Sequence, residues 1–430
     1  MARLMTFGAG SLALSNYQIS TARLLRVYFL LLLNLMVFAG AQAQTGTISG
    51  KIVRADTKTP LAKVSVFLSN ATVGATTDEA GNFTLRNIRP GQYDLVATSV
   101  GFEDFTQQVL VNATPIAINV EMRARVMQLE DVVVTNNDNW KANYQMFLAE
   151  FFGTSAYARQ CKISNPHDLV LIYSKSKRTL TALSYDFINI ENKALGYRIR
   201  FLLKNFKSDK LNNIISWQGK VLYEELPGSA AQRKIWEQRR QDIYYGSAMQ
   251  FFRSLVDGNY ERDGFVMRIL ARRPNAERPP DPVIQRKIDK FDGVNSDSLR
   301  YWVNKYQLPK YHEHLYRDPL KIEQVVKETD RQGIYGMAFP ECLYVVYTKK
   351  RETQDFKDIY RPLDWENFET SVVTLYTPYI LFDKNGSILS NPSPLQEGTW
   401  SKNKIAELLP VDFEPSATYT PPYIGQQYKP

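Results

Sequence analysis

Two histidines of this sequence are spaced so that they could bind a metal ion together. His312 and His314 stand in the stretch KYHEHLY, and residues two apart on a β-strand point to the same face. A zinc site needs about three or four side-chain ligands, and His167 is the only other histidine in the sequence. We therefore predict a half-exposed strand without a bound metal, and a metal site at His312 and His314 is the alternative.

Two pairs of neighbouring acids could serve as catalytic carboxylates, but their contexts favour other roles. Asp78 and Glu79 precede Gly81 in TDEAGNF, where an Asp can accept a backbone hydrogen bond and glycine can adopt a positive φ. We predict a tight turn; the alternative, a calcium site, requires about six oxygen ligands or more. Glu224 and Glu225 are adjacent on a predicted strand, so they point to opposite faces and cannot flank one bond.

Motif searches predict no catalytic residue, no cofactor and no metal. The sequence contains no Gly-x-Ser-x-Gly elbow, no phosphate-binding glycine loop and no Cys-x-x-Cys pair. The basic block RKIWEQRR, residues 233–240, could bind phosphate, but Arg233 and Glu237 are four residues apart, which is typical of the wet face of a helix. We predict no nucleic-acid partner, and an acidic polysaccharide or lipopolysaccharide is the better candidate.

The first 43 residues have the pattern of an export signal. Arg23 and Arg26 precede the apolar run VYFLLLLNLMVF, and Ala41-Gln42-Ala43 has the small-x-small pattern of a cleavage site. We predict cleavage before Gln44, with a retained signal anchor as the alternative. No later segment reaches about 18 uninterrupted apolar residues, so no further membrane span is predicted.

Length and charge place most of the chain in globular domains. With 430 residues, 44% of them hydrophobic, the chain can form two or three domains with cores of their own. The formal net charge is +9, and residues 135–430 hold 42 Lys and Arg against 35 Asp and Glu. The basic excess therefore belongs to the second half.

The two cysteines, Cys161 and Cys342, both lie in that second half. An exported protein meets an oxidising compartment, so the two thiols are a candidate disulfide. The alternative is a pair of buried thiols that pack as small hydrophobic side chains.

Residues 44–134 predict an all-β, Ig-like sandwich. Short alternating runs separated by Gly, Pro, Asn and Asp follow one another at even spacing: GTISGKIV, VSVFLS, VGATT, NFTLRN, QYDLVATSV, FTQQVLV and IAINVEM. In NFTLR, Phe83 and Leu85 point to one face while Thr84 and Arg86 point to the other. One face of each sheet is therefore expected to be buried.

This stretch resembles the carboxypeptidase regulatory-like module. The resemblance rests on Gly81 to Phe83, Pro90 to Tyr93 and Val100 to Phe102, and it implies a transthyretin-like sandwich of about seven strands. Such modules accompany secreted peptidases and TonB-dependent transporters, and LEDVVVT, residues 129–135, resembles the segment that leads into a transporter plug. The rest of the chain resembles neither the peptidases nor the transporters, because it lacks the metal ligands of the former and the barrel strands of the latter.

Residues 135–430 predict a mixed α+β domain. WKANYQMFLAEFF is expected to form an amphipathic helix, and a single long helix is expected over AAQRKIWEQRRQDIYYGSAMQFFRSL. Residues 272–292, rich in Pro and charge, are interpreted as a surface connection. The sequence Asp383-Lys384-Asn385-Gly386 is typical of a type I′ hairpin turn. The stretch SKNKIAELL is expected to form a short closing helix.

The second half contains the stretches NIENKALGYRIRFLL, KVLYEELPG and KIWEQRRQDIYYGSAMQFFRSL. With them it resembles uncharacterised exported proteins of Gram-negative envelopes in which a regulatory-like sandwich precedes a domain of unknown role. We predict a non-catalytic protein of the periplasm or cell surface, associated with the outer membrane. Its sandwich would act as an interaction or spacer module, and its basic second domain would bind a glycan, an anionic surface polymer or a protein. The 25 tyrosines and 6 tryptophans could line a sugar groove, although most are expected in the core. The alternative is a hydrolase of cell-surface or dietary polymer with unidentified carboxylates.

Overall fold

The computed structural model describes residues 45–125, 139–352 and 365–416. The predicted export signal, residues 1–43, and the LEDVVVT segment, residues 129–135, lie outside the described residues. Among the helices that the structure does describe, none combines the length and the apolar character needed to cross a membrane.

The N-terminal region is a β-sandwich, as predicted. Its strands are β1 Gly46–Arg54, β2 Ser65–Leu68, β3 Gly74–Thr76, β4 Asn82–Ile88, β5 Gly91–Thr98, β6 Phe105–Val111, β7 Ile116–Ala117 and β8 Val120–Met122. One sheet has the order β4-β1-β7, with β8 also paired to β1, and the other has the order β3-β2-β5-β6. Along β4, Phe83 and Leu85 are buried while Thr84 and Arg86 are exposed, so the alternation read from the sequence sets the inner face.

A six-stranded sheet and a helix follow the sandwich. The helix is α1 Trp140–Phe152, and the strands are β9 Cys161–Ile163, β10 Leu169–Ser174, β11 Thr179–Ser184, β12 Ile188–Asn192, β13 Tyr197–Asp209 and β14 Ile214–Glu225. The strand order is β10-β11-β13-β12-β9, and β14 pairs with β13. Phe147 and Phe151 of α1 are fully buried, and their rings lie 5.0 and 5.5 Å from Phe206 and Phe201 of the sheet.

The predicted single helix over residues 230–255 is wrong, because the structure divides it. The two helices are α2 Ala230–Tyr244 and α3 Ala248–Val256. Gly246 adopts a φ of 91°, which a helix cannot continue through, and the Ser247 side chain accepts a hydrogen bond from Gln250 N–H to begin the next helix. The Gly246 carbonyl also accepts a hydrogen bond from Trp400 Nε1 at 2.8 Å, so a distant residue stabilises the break.

The remaining strands form a five-stranded and a three-stranded sheet. They are β15 Phe265–Pro274, β16 Tyr311–Leu315, β17 Val326–Glu328, β18 Ile334–Met337, β19 Cys342–Arg351, β20 Phe368–Thr374, β21 Ile380–Asp383 and β22 Leu395–Gly398. The sheet orders are β16-β15-β19-β20-β22 and β17-β18-β21. Phe251 and Phe252 of α3 are buried in a core with Phe265, Tyr347 and Phe382.

The predicted surface connection over residues 272–292 is also wrong, because a helix lies within it. The short helix α4 Tyr260–Asp263 precedes β15, and α5 Asp281–Phe291 and α6 Ser296–Gln307 separate β15 from β16. Pro282 stands in the first turn of α5, where a missing N–H costs no helical hydrogen bond. The Pro-rich composition of residues 272–292 suggested a loop. A proline in the first turn is nevertheless compatible with a helix, so composition alone did not reveal α5.

The C-terminal part contains two shorter helices, α7 Ile322–Val325 and α8 Thr399–Lys402. The predicted closing helix over SKNKIAELL does not form as one element. Asn403 ends α8 with φ and ψ outside the helical region, and a separate 3-10 turn covers Ile405–Glu407.

Candidate functional site

The two histidines predicted on a strand lie on β16, at the edge of the five-stranded sheet, and both are exposed. His167 lies apart from them, with its ring 4.9 Å from the ring of Trp140. In the part of the chain that the structure describes, no group of three His, Cys, Asp or Glu side chains could hold a metal ion. The half-exposed strand is therefore confirmed, and the histidines are not gathered into a site.

The acidic pair at residues 78 and 79 forms a turn, as predicted. The Asp78 carboxylate accepts hydrogen bonds from the N–H groups of Ala80 and Asn82 at 3.0 and 2.7 Å, and Gly81 adopts a φ of 77°. Both acids are exposed. The Asp78 oxygens are directed at the turn, which connects β3 of one sheet to β4 of the other, so Asp78 stabilises this connection rather than a reacting bond.

The basic block and the other acidic pair have structural roles. Arg233 is exposed on α2, whereas the Arg240 guanidinium packs 3.8 Å from the ring centroid of Tyr197 and donates to the Leu195 carbonyl at 2.8 Å. Glu225 forms an ion pair with Arg240 at 2.6 Å. Arg240 therefore joins a helix to the six-stranded sheet.

A second copy of the Asp78 turn follows β21 and is buried. The Asp383 carboxylate accepts from the N–H groups of Asn385 and Ser387 at 3.0 and 2.9 Å, and Gly386 has a φ of 77°. Asn385 does not adopt a positive φ, so the predicted type I′ turn is wrong. The turn is organised by the Asp383 side chain instead, and Asp383 has no exposed surface.

This buried turn contacts the sandwich at the start of β5. Asp383 also accepts from Gln92 N–H at 3.1 Å, and Asn385 Nδ2 donates to the Tyr93 hydroxyl at 3.1 Å. A Cβ atom on Gly91 would lie 1.9 Å from Asn385 Nδ2, so only glycine permits this approach. Burial raises the pKa of Asp383 and the pKa of Tyr93.

Backbone pairing joins the sandwich to β14. Asn70 N–H donates to the Val221 carbonyl at 2.7 Å, and Tyr223 N–H donates to the Ala71 carbonyl at 3.0 Å. A small core of buried side chains from both regions lies beside this pairing: Phe67, Val96, Phe187, Leu202 and Leu222. The sandwich and the following region are therefore packed together, not joined by a linker alone.

Arg253 ties the buried turn to the C-terminal segment. Its guanidinium donates to the carbonyls of Asn385, Phe413 and Val411 at 3.0, 2.8 and 2.8 Å. The residue is 5% exposed, and burial lowers the pKa of its guanidinium. Because each donor group has a carbonyl partner, the charge is buried with its hydrogen bonds satisfied.

The two cysteines are free thiols in the structure. Cys161 is half-buried beside the six-stranded sheet, and its burial raises the pKa of the thiol to about 12. Cys342 is buried in a different core, 3.3 Å from the Thr374 hydroxyl, and burial raises its pKa as well. These surroundings correspond to the alternative in which the two cysteines are thiols that pack as small hydrophobic side chains.

A cleft of about 880 Å³ lies beside β14. It is bordered by residues 213–218 of β14 and the preceding turn, by the segment 391–409, and by Ser247 and Met249 at the junction between α2 and α3. Two aromatic side chains line it with exposed surface: Trp217, which is half-buried, and Tyr376, which is 54% exposed. Four amide side chains contribute to the polar lining: Asn213, Asn391, Gln396 and Asn403. Asn205 and Gln218 also border the cleft, but they are paired on the face of the sheet opposite Trp217.

Two charged side chains line the cleft, Lys404 and Glu407. Lys404 Nζ lies 5.9 Å from the ring centroid of Trp217, and burial lowers the pKa of the Lys404 ammonium. Burial raises the pKa of Glu407, while a hydrogen bond from Ser155 and the charge of Lys404 act in the other direction. Among the described lining residues, Glu407 is the only carboxylate.

The sandwich geometry agrees with a comparison against protein-family models. Residues 48–134 match the CarboxypepD_reg-like domain. The recognition made from the Gly-x-Phe, Pro-Gly-x-Tyr and Val-Gly-Phe landmarks is confirmed for this part of the chain. Comparison of the sequence with curated proteins found no match.

Solved structures resemble the chain weakly. The group B streptococcus pilus 2b backbone protein is 22% identical over 19% of this chain and 41% of its own, with a TM-score of 0.17. A putative carbohydrate binding protein from Bacteroides uniformis ATCC 8492 is 8% identical over 42% of this chain and 79% of its own, also with a TM-score of 0.17. The match thus spans less than half of the pilus protein, and at these TM-scores neither likeness carries an argument about function.

The cleft lies outside the CarboxypepD_reg-like domain, and no sequence pattern singled out its lining. Its residues come from β14, the junction between α2 and α3, and the segment 376–409. The excess of tyrosine and tryptophan was a signal for a groove, but it did not distinguish Tyr376 from core aromatic residues. An amide-rich stretch such as residues 391–403 is a weaker signal.

Proposed function

We propose that this protein is an exported, non-catalytic binding protein whose cleft beside β14 holds a neutral glycan. Export is supported by the signal pattern of residues 1–43. A non-catalytic role is compatible with the CarboxypepD_reg-like domain of residues 48–134. The packed sandwich would then fix the position of the binding region rather than act as a loose spacer.

The lining of the cleft is the observation that carries this proposal. Amide side chains present both a donor and an acceptor, as sugar hydroxyls do, and four of them line the cleft. The flat faces of Trp217 and Tyr376 can stack on pyranose rings. The lining carries one positive and one negative charge, Lys404 and Glu407, so a neutral ligand suits it better than a polyanion.

A glycan array followed by calorimetry tests the proposal. With the chain from Gln44 onward, Tyr376→Ala and Asn391→Ala should each weaken binding of an array hit at least about tenfold, roughly 1.4 kcal/mol. Both side chains are exposed, so neither change should disturb folding. Tyr185→Ala is the matched control, because Tyr185 is 74% exposed and does not line the cleft. Equal affinities in all three variants would contradict the assignment.

Glu407 supports the alternative, a hydrolase acting in the same cleft. A half-buried carboxyl with a raised pKa is a candidate general acid. Glycoside hydrolysis by the usual route needs a second carboxylate about 5 to 10 Å away, and the described lining has none. Turnover of the bound glycan that disappears in Glu407→Gln would establish the hydrolase and refute the binding-only proposal.

A further inference from the structure

Exposed apolar and aromatic side chains are concentrated in one surface region. Of the fourteen large hydrophobic side chains that are exposed among the described residues, six lie within residues 294–316, a span of only 23 positions. They are Val294, Tyr301, Val303, Tyr306, Tyr311 and Tyr316. The region consists of α6, the loop before it and the edge strand β16, far along the chain from the CarboxypepD_reg-like domain.

The helix pair at the centre of this region is only partly covered by protein. Helix α6 has no buried residue, although Leu299 and Trp302 lie on its α5 side and are half-buried. Val294, in the loop between α5 and α6, is 78% exposed and follows Gly293, which has a φ of 67°. An aliphatic side chain is thus presented to solvent at the tip of a helical hairpin.

Positive charge accompanies these side chains. Residues 272–317 contain 10 Lys and Arg against 6 Asp and Glu, which is more than half of the net charge of residues 135–430. Lys287 Nζ and Lys305 Nζ each lie 5.8 Å from an aromatic ring centroid, those of Trp302 and Tyr301. Lys290 Nζ lies 5.6 Å from the ring centroid of Phe291.

Three of the four acids of this hairpin are neutralised by other residues, and the fourth, Asp292, is exposed in the loop before Val294. Asp289 pairs with Arg178 at 2.6 Å, and Asp297 pairs with Arg300 at 2.6 Å. Asp281 pairs with Arg278 and Lys310. No ion pair of the described residues includes Lys287, Lys290 or Lys305. Lys305 Nζ donates one hydrogen bond to the Glu277 carbonyl at 2.8 Å, and an ammonium group has three donors, so each of the three lysines can still bind an external anion.

We propose that the α5–α6 hairpin docks on the surface of an anionic lipid bilayer. Lysines beside Tyr and Trp rings suit the interface, where ammonium groups meet lipid phosphates and amphipathic rings lie at headgroup level. The exposed Val294 would enter the boundary between headgroups and acyl chains. A soluble acidic polymer would use the lysines but has no apolar layer to accept Val294. This surface is separate from the cleft, so the proposal does not depend on the proposed glycan.

Vesicle co-sedimentation tests the proposal with the chain from Gln44 onward. We expect binding to vesicles that contain phosphatidylglycerol, little binding to pure phosphatidylcholine, and release at high salt. The triple variant K287Q/K290Q/K305Q should bind about 100-fold more weakly, since each lysine near an anionic surface contributes about fivefold. The triple variant K63Q/K162Q/K175Q removes three exposed lysines outside the hairpin and should bind like the unmodified chain.

Val294→Asn separates a bilayer from a soluble polyanion, because it removes the apolar side chain without changing the charge. It should weaken vesicle binding while leaving retention on dextran sulfate unchanged. Circular dichroism confirms folding of each variant. No binding to phosphatidylglycerol vesicles, equal losses in the two lysine triples, or vesicle binding insensitive to Val294→Asn would each overturn the proposal.

Discussion

The carboxylate of Asp383 accepts a hydrogen bond from the backbone N–H of Gln92 at 3.1 Å, across the boundary between the CarboxypepD_reg-like domain and the rest of the chain. The same carboxylate organises its own turn through Asn385 and Ser387. One buried side chain thus sets a local conformation and a contact 291 residues away in sequence. The sandwich is held in a defined position because of such shared bonds.

Asp383→Ala should destabilise the protein strongly. The change leaves the N–H groups of Gln92, Asn385 and Ser387 without their acceptor, which we expect to cost about 3 kcal/mol of unfolding free energy. Asp383→Asn should cost less, since its Oδ1 can still accept the two bonds within the turn. Urea unfolding measures both. Asp78→Ala, in the exposed copy of the turn, is the matched control and should have a much smaller effect; equal losses at the two sites would argue against the contact with Gln92.

Arg253→Met should release the C-terminal segment from the buried turn. The carbonyls of Asn385, Val411 and Phe413 lose their donors, and we expect a loss of about 2 to 4 kcal/mol in unfolding free energy. Arg253→Lys should recover only part of this loss, because an ammonium group cannot reach three carbonyls with the geometry of a guanidinium. Arg233→Lys, on the exposed face of α2, serves as the control. If Arg253→Lys is as stable as the unmodified chain, then a positive charge is sufficient and the geometry of the guanidinium is not needed.

Both thiols should react slowly with a thiol reagent in the folded protein, and both should react after unfolding. Burial raises the pKa of Cys161 to about 12 and also raises the pKa of Cys342, so little thiolate exists at about pH 8. We expect slow modification by a thiol reagent under native conditions. In guanidinium without reductant, two thiols per chain should react, one for each free cysteine. A count of zero would show that Cys161 and Cys342 form the disulfide considered from the sequence.

Glu407 should make stability depend on pH in a defined direction. Its pKa is raised by burial above the ordinary value of 4.5, so the folded chain keeps a proton that the unfolded chain releases. The stabilising contribution is complete below that ordinary value and is lost as pH rises through the raised pKa. Glu407→Gln cannot ionise, so its unfolding free energy relative to the unmodified chain should increase from about pH 4.5 toward neutrality. A difference that stays constant across urea titrations at several pH values would contradict this assignment.

Patterns with a short period predicted much of the fold correctly. The alternation of Phe83 and Leu85 with Thr84 and Arg86 predicted β4, and the spacing of Phe147 and Phe151 predicted α1. These predictions succeed because side-chain direction repeats every two residues in a strand and every 3.6 in a helix. The break between α2 and α3 was missed although Gly246 and the Ser247 cap that produce it are local in the sequence; only the accompanying bond between Trp400 and Gly246, which joins residues 154 apart, lies beyond a local pattern.

What the sequence determined by itself is local: many of the strands, helix α1, the family of residues 48–134 and the positions of the two turns at Asp78 and Asp383. Both turns follow the pattern Asp-x-x-Gly with a polar residue after the glycine, and both adopt the same hydrogen bonding. Only the tertiary structure decided that one copy is solvated and the other is buried against Gln92. It also assembled the cleft from β14, the α2–α3 junction and residues 376–409. Burial and cavity shape depend on which distant segments meet, and no local spacing of residues encodes that meeting.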